Sequence, residues 1–200
     1  YLLRHATDGK DAMVSKSINQ IETSVEKAGS IIDNLLNFSR IDDEDNEEIY
    51  INEFFHEILQ LEKKLMHSRK ISYEIRCSPD LNYKINREIL KHIVINLTAN
   101  AIDSMDKGGS LILTGKKSEK DLVLKFCDSG CGIKNEDIEN IFNPFFTTKK
   151  RGKGTGLGLY IVYSDIKRLG GQITVKSQFG EGSEFIVTLP LNNGEKNDSV

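Results

Sequence analysis

Residues 87–126 read REILKHIVINLTANAIDSMDKGGSLILTGKKSEKDLVLKF. Apolar residues at helical spacing predict a helix from Arg87 to about Met105, and Lys107-Gly108-Gly109 ends it. Two apolar runs follow, Ser110–Thr114 and Leu122–Phe126, and they predict a hairpin pair of strands. A long helix beside a hairpin buries its apolar stripe on the sheet.

The same pattern extends outward in both directions. Toward the N-terminus, Ile71–Ile75 alternates at period two and predicts a strand. Before it, Asn52 is placed to cap a helix through Ser68, with Phe55, Ile58, Leu59, Leu61 and Leu65 as its apolar residues. Glu48–Ile51 predicts a short strand. Toward the C-terminus, a helix is expected from about Thr155 to Leu169, ended by Gly170-Gly171. Gln172–Ser177 and Ser183–Leu189 make a last pair of strands. The fold class is α+β. Three helices on one face of a sheet built largely from neighbouring strands give a two-layer α/β sandwich.

The N-terminal part follows another rule. Ile18, Ile21, Val25, Ala28, Ile32 and Leu35 form a heptad seam, which buries itself in a bundle or coiled coil. A single amphipathic helix packed on its own domain is the plainer alternative. Residues 1–6 read as the end of an earlier helix and Asp8-Gly9-Lys10-Asp11 as a turn. Asp42, Asp43, Glu44, Asp45, Glu47 and Glu48 read as a solvated linker. The expected organisation is therefore a partial helical stem over 1–46, a main domain over 47–191 and a disordered tail over 192–200.

Composition narrows the function classes. With 38% hydrophobic residues in 200, the chain can build a core. A net charge of −3 argues against nucleic acid as the main partner. No apolar run spans a bilayer and no leader opens the chain, so direct membrane contact is not expected. The opening Tyr-Leu-Leu-Arg-His starts in mid-pattern, as if cut from a longer protein, in which a membrane anchor or sensor could lie upstream. Cys77, Cys127 and Cys131 lack a second Cys/His pair at ligand spacing and read as free thiols of a reducing cytoplasm.

Four stretches carry chemistry. Asn96 and Asn100 stand four apart, so both project from one helical face, where amide oxygens suit Mg²⁺. Two solvent-facing asparagines would give the same pattern. Asp128-Ser129-Gly130-Cys131-Gly132 follows an apolar strand. Its glycines allow close backbone approach to a ligand, and its acid can accept from an exocyclic amine such as adenine N6. A plain Asp-Ser-Gly turn is the alternative. Phe142-Asn143-Pro144-Phe145-Phe146 reads as the anchor of a hinged lid, or as core packing.

The fourth stretch is Gly152-Lys153-Gly154-Thr155-Gly156-Leu157-Gly158, running into a helix. A glycine-rich backbone at a helix N-terminus suits phosphate, and Lys149, Lys150, Arg151 and Lys153 add positive charge. It is neither a Walker A motif nor a Rossmann fingerprint.

In this order and spacing the four stretches closely resemble the boxes of the sensor histidine kinases, whose ATP-binding fold is shared with gyrase, mismatch-repair and chaperone ATPases. Asn96–Ala101 resembles the N box and Asp128–Gly132 the first glycine box. Phe142–Phe146 resembles the F box and Gly154–Gly158 the second glycine box. Gly180-Glu181-Gly182-Ser183-Glu184-Phe185 resembles a last, weaker glycine motif. Ile18–Arg40 resembles the second stem helix, with its Leu-x-x-Phe-Ser-Arg ending at Leu35–Arg40.

The resemblance implies ATP and Mg²⁺ as ligands. Asn100 would coordinate the metal with help from Asn96. Asp128 would hold adenine N6, and Gly132 would keep the adenine pocket open. Lys149 and the backbone of Gly154, Thr155, Gly156, Leu157 and Gly158 would hold the phosphates. Asp103 points to the same site, and Gly130, Ile133, Phe142, Thr147 and Thr148 complete the nucleotide-contacting set. Asn96 and Lys149 are the residues assigned to catalysis. The related ATPases carry glutamate where Asn96 stands, so fast hydrolysis is not expected here.

The whole protein would be a cytoplasmic homodimer joined through its stem. It would phosphorylate a stem histidine and pass the phosphate to a response-regulator receiver domain. The family's His-Glu-x-Arg-x-Pro type box is absent from this chain, and His5 lies near a turn. The stretch is therefore expected to bind Mg-ATP without labelling itself. Two rivals are a serine kinase of the anti-sigma type, which should lack the heptad stem, and a nucleotide-binding scaffold without activity.

Overall fold

The computed structural model describes residues 46–149 and 154–191, together with Val14, Ser17 and Ile18. Most of the stem seam, the linker residues Asp42–Asp45, the loop residues 150–153 and the tail from Asn192 lie outside the described residues.

The chain runs β1 (Asn46–Tyr50), α1 (Ile51–Ser68), β2 (Ile71–Cys77), β3 (Asn82–Asn86), α2 (Arg87–Ser104), β4 (Gly109–Lys117) and β5 (Asp121–Asp128). A single turn, α3 (Asn135–Ile138), then α4 (Gly158–Arg168), β6 (Gln172–Gln178) and β7 (Gly182–Pro190) complete it. Five strands form one sheet in the order β2-β4-β5-β7-β6, and β1 pairs with β3 in a separate two-stranded ribbon. β2 and β4 are parallel, and the other neighbours in the large sheet are antiparallel. A parallel pair needs a long crossover, here supplied by β3 and α2. The molecule is an α+β sandwich with helices over one face of the sheet.

The core lies between those layers. β5 alternates, burying Leu122, Leu124 and Phe126. Leu111 and Leu113 of β4 and Val187 and Leu189 of β7 join them. α1 covers this surface with Phe54, Phe55, Ile58 and Leu59, α2 with Ile89, Leu90, Ile93, Val94 and Leu97, and α4 with Val162 and Ile166. Phe55 and Phe126 meet edge to face, with centroids 6.0 Å apart.

Several boundaries differ from the sequence reading for identifiable reasons. Glu48 lies in a strand as expected, but β1 also takes in Glu47 and ends at Tyr50, so Ile51 opens α1 and does not close the strand. Asn52 does not cap α1: the first helical amide, Ile51 N, instead donates to Leu81 O at 2.9 Å, while Asn52 Nδ2 donates to Cys77 O. Leu61 and Leu65 face outward. β3 and α3 were not expected; β3 ends at Asn86, whose side chain accepts from Glu88 N and Ile89 N and so caps α2. α4 begins at Gly158, three residues after Thr155, because Gly156 takes a positive φ of 70° that an α-helix cannot continue through. The cysteines are free thiols. Among the described residues, no helix is long and apolar enough to cross a membrane.

Candidate functional site

A cleft of about 720 Å³ opens between α2, the turn after β5, the segment 141–149 and the start of α4. That volume falls in the range of roughly 300–1,000 Å³ common for small-molecule sites. Its wall mixes apolar side chains (Ile133, Ile141, Phe146, Phe179, Phe185) with the amides of α2 and the ammonium of Lys149.

Helical spacing places Asn96, Asn100, Asp103 and Ser104 along one side of this cleft. Asn96 Nδ2 donates to His92 O at 2.8 Å, which fixes the amide with Oδ1 as its acceptor end. Lys149 Nζ donates to Asn100 Oδ1 at 3.3 Å and to Asp103 Oδ2 at 2.7 Å. The other oxygen of Asp103 accepts from Arg69 NH1 at 3.1 Å, and the same guanidinium nitrogen reaches Ile102 O. Burial alone would push the Asp103 carboxyl up, but Lys149 and Arg69 together outweigh it and hold it below the usual carboxylate range.

Asp128 continues the inward row Leu122-Leu124-Phe126 to the end of β5, so its carboxylate enters the helix side of the sheet. It is 6% exposed. Oδ1 lies 2.9 Å from Ser104 Oγ and accepts from Gly130 N at 2.8 Å. Burial pushes its carboxyl up, and the bonds from Gly130, Ser104 and the Ser183 backbone only partly counter that. The following turn is tied down when Ile133 N donates to Ser177 Oγ and Gly180 N donates to Cys131 O. Gly132 has φ 66°, and a Cβ there would lie 2.1 Å from Gln178 O, so only glycine lets this wall close up.

The aromatic segment divides as an anchor and an exposed tip. Phe142 packs on Tyr163 of α4 with centroids 5.6 Å apart, and Phe146 joins the core. Phe145 is 65% exposed with φ 66°. Thr147 Oγ1 accepts from Lys149 N, and Thr155 Oγ1 accepts from Leu157 N.

The structure therefore brings Asn96, Asn100, Asp103, Asp128, Gly132, Ile133, Thr147, Thr148, Lys149, Gly154, Thr155, Gly156 and Gly158 to one cleft. Gly130, Phe142 and Leu157 do not line it. A Cβ on Gly130 would strike Ser104 Oγ, Phe142 is taken up by Tyr163, and Leu157 is buried. Of the basic residues expected in the loop, Lys150, Arg151 and Lys153 lie outside the described residues. Ser104 and Arg69 were missed. Ser104 had a signal, one turn beyond Asn100; Arg69 had none, since it lies 34 residues from Asp103.

The donor set suits a magnesium–nucleotide pair. Among the described residues, no group of three or more His, Cys, Asp or Glu could hold a metal ion by itself. The two neutral amide oxygens instead fit a small hard cation that draws most of its ligands from phosphate and water, and the Lys149 ammonium, which donates to Asn100 Oδ1 here, suits the phosphate. The glycine-rich segment and the apolar wall leave room for a phosphate chain and a flat ring in one cleft.

Residues 85–193 match the model of the histidine kinase-, DNA gyrase B- and HSP90-like ATPases, and the chain belongs to that family. Within it, the relatives are sensor histidine kinases. The sensor kinase CckA of Brucella abortus (strain 2308) is 34% identical over 195 residues, covering 90% of this chain and 20% of the relative. The sensor histidine kinase ZraS of Escherichia coli (strain K12) is 34% identical over 143 residues, 71% of this chain and 30% of the relative. The chain thus spans less than a third of the length of these relatives. Among solved structures, the nucleotide-free catalytic domain of the histidine kinase ThkA superposes with a TM-score of 0.66 at 31% identity. That match covers 73% of this chain and 97% of ThkA's domain. The fold and family are those of a histidine kinase ATP-binding catalytic domain.

Proposed function

We propose that this chain binds Mg-ATP and presents the γ-phosphate to a histidine of a helical stem, for relay to a response-regulator aspartate. The observation that carries the reading is the meeting of Asn96, Asn100 and Lys149 with the buried Asp128 in one cleft. Asp128 and the Gly132 turn hold the adenine ring, with the carboxylate accepting from its amine. Asn100 and Asn96 hold the magnesium, which neutralises charge on the phosphates when bound. Lys149 and the Gly154–Gly158 backbone hold the phosphate oxygens.

Asn96 supports transfer over hydrolysis. A neutral amide cannot take a proton from water, so the cleft has no base there to activate water. Transfer to a separate imidazole needs alignment and charge neutralisation instead. The imidazole nitrogen forms the new bond to phosphorus as the bond to the β-phosphate oxygen breaks, and ADP leaves. In this reading residues 47–191 form the ATP-binding unit. Residues 1–46 form part of a stem that joins two copies, and the acceptor histidine is supplied from outside this stretch.

Calorimetric titration with ATP, with and without Mg²⁺, tests the binding step. Incubation with γ-labelled ATP tests the rest. The chain should bind and stay unlabelled, and should label a supplied stem helix carrying the acceptor histidine. Strong self-labelling on His5 would overturn this account of where the acceptor lies.

A further inference from the structure

Asp165 stands in α4 with its side chain 1% exposed, on the helix that begins at the glycine-rich segment. Among the described residues its Oδ2 has no hydrogen-bond partner. Oδ1 accepts from Arg168 NH2 at a long 3.4 Å, and His92 Nδ1 of α2 lies 3.6 Å from Oδ2. A carboxylate in such a place is costly unless it is paired, and most buried polar atoms are satisfied. An apolar side chain would pack between α2 and α4 more cheaply.

What the carboxylate adds is direction. Apolar helix contacts tolerate sliding, whereas a carboxylate facing one imidazole favours one register. His92 is also the residue whose carbonyl holds the Asn96 amide. At the start of α4, a Cβ on Gly158 would lie 2.7 Å from Asn96 Oδ1, so the two helices touch again there. His92–Asp165 and Asn96–Gly158 are thus two rungs between the same pair of antiparallel helices.

Resting on the magnesium–nucleotide reading above, we propose that Asp165 is a positioning residue. Through His92 it sets the register of α4 on α2, and hence the separation between the Gly154–Gly158 segment and Asn96. That separation is what a metal-bound triphosphate must span. Outer partners of this kind typically change metal-linked affinity by about 10–100-fold when removed.

The test uses the full chain with Asp165→Leu, His92→Leu and His92→Gln. The probes are a Mg²⁺-bound non-hydrolysable ATP analogue and, as control, ADP in EDTA. Asp165→Leu should keep or raise the Tm, weaken the Mg-analogue about tenfold, and leave ADP in EDTA within about twofold. His92→Leu should weaken the Mg-analogue and spare ADP in the same way, but lower the Tm, because it leaves the buried Asp165 carboxylate facing no imidazole. His92→Gln keeps a donor that can face Oδ2 and should restore binding to within about twofold of wild type. Unchanged Mg-analogue affinity in both leucine variants overturns the proposal, as does equal loss of both probes. Wild-type chain that binds neither probe overturns the nucleotide reading, and the register proposal falls with it.

Discussion

Asp128 and Asp103 share a cleft, yet their environments push them in opposite directions. Asp128 is desolvated, so its carboxyl binds a proton more tightly in the fold than in the unfolded chain. Its contribution favours the fold below the ordinary carboxylate range and is lost as pH rises through the raised value. At neutral pH the ionised group therefore burdens the unliganded fold, a cost consistent with a binding role. Asp128→Asn keeps the acceptor for Gly130 and Ser104, and should raise the Tm at neutral pH by a few degrees while weakening ATP binding. The gain should shrink on acidification, which a series of thermal melts will show.

Asp103 has the reverse sign. Its lowered carboxyl adds stability above the ordinary range, and that stability is lost as pH falls through the lowered value. The group is 36% exposed, so solvent screens the pairs and the contribution should stay below about 1 kcal/mol. Denaturant titrations of Asp103→Asn and wild type should differ by that much at neutral pH and converge in acid.

At the scale of elements, α2 organises the site. It brings both asparagines, Asp103 and Ser104 to one face and gives its other faces to the core. Asn86 starts it at the end of β3, and removing that cap by Asn86→Ala should cost about 1 kcal/mol in a urea titration without shifting the slope. The asparagine pair was legible because helical spacing is rigid. The glycine boxes were legible because sharp turns and phosphate-ready backbones need glycine at set positions. β3 was not legible: only Tyr83 and Ile85 are apolar in its five residues, and its partner β1 lies far upstream. The start of α4 was misplaced because apolar periodicity runs through Leu157, whereas the backbone at Gly156 does not.

For the whole molecule, the layers followed from the alternation of helix and strand patterns, and the family from the order of the boxes. The parallel pairing of β2 with β4 did not follow, because strand neighbours across a crossover leave no local mark. Nor did the tie from Arg69 to the cleft, which depends on that tertiary placement. The described residues form a two-layer sandwich with a cleft. Nucleotide binding is therefore expected from this chain alone, although it spans a fifth to under a third of its relatives.

In the proposed reading this cleft binds ATP through Asp128 and a metal held by the α2 asparagines. This binding is tested most directly by calorimetric titration of ATP into wild type and Asp128→Asn, each with Mg²⁺ and with EDTA. Wild type should bind, more tightly with Mg²⁺, and the variant should lose most of the affinity. Failure of wild type to bind, or equal affinity in the variant, would contradict it.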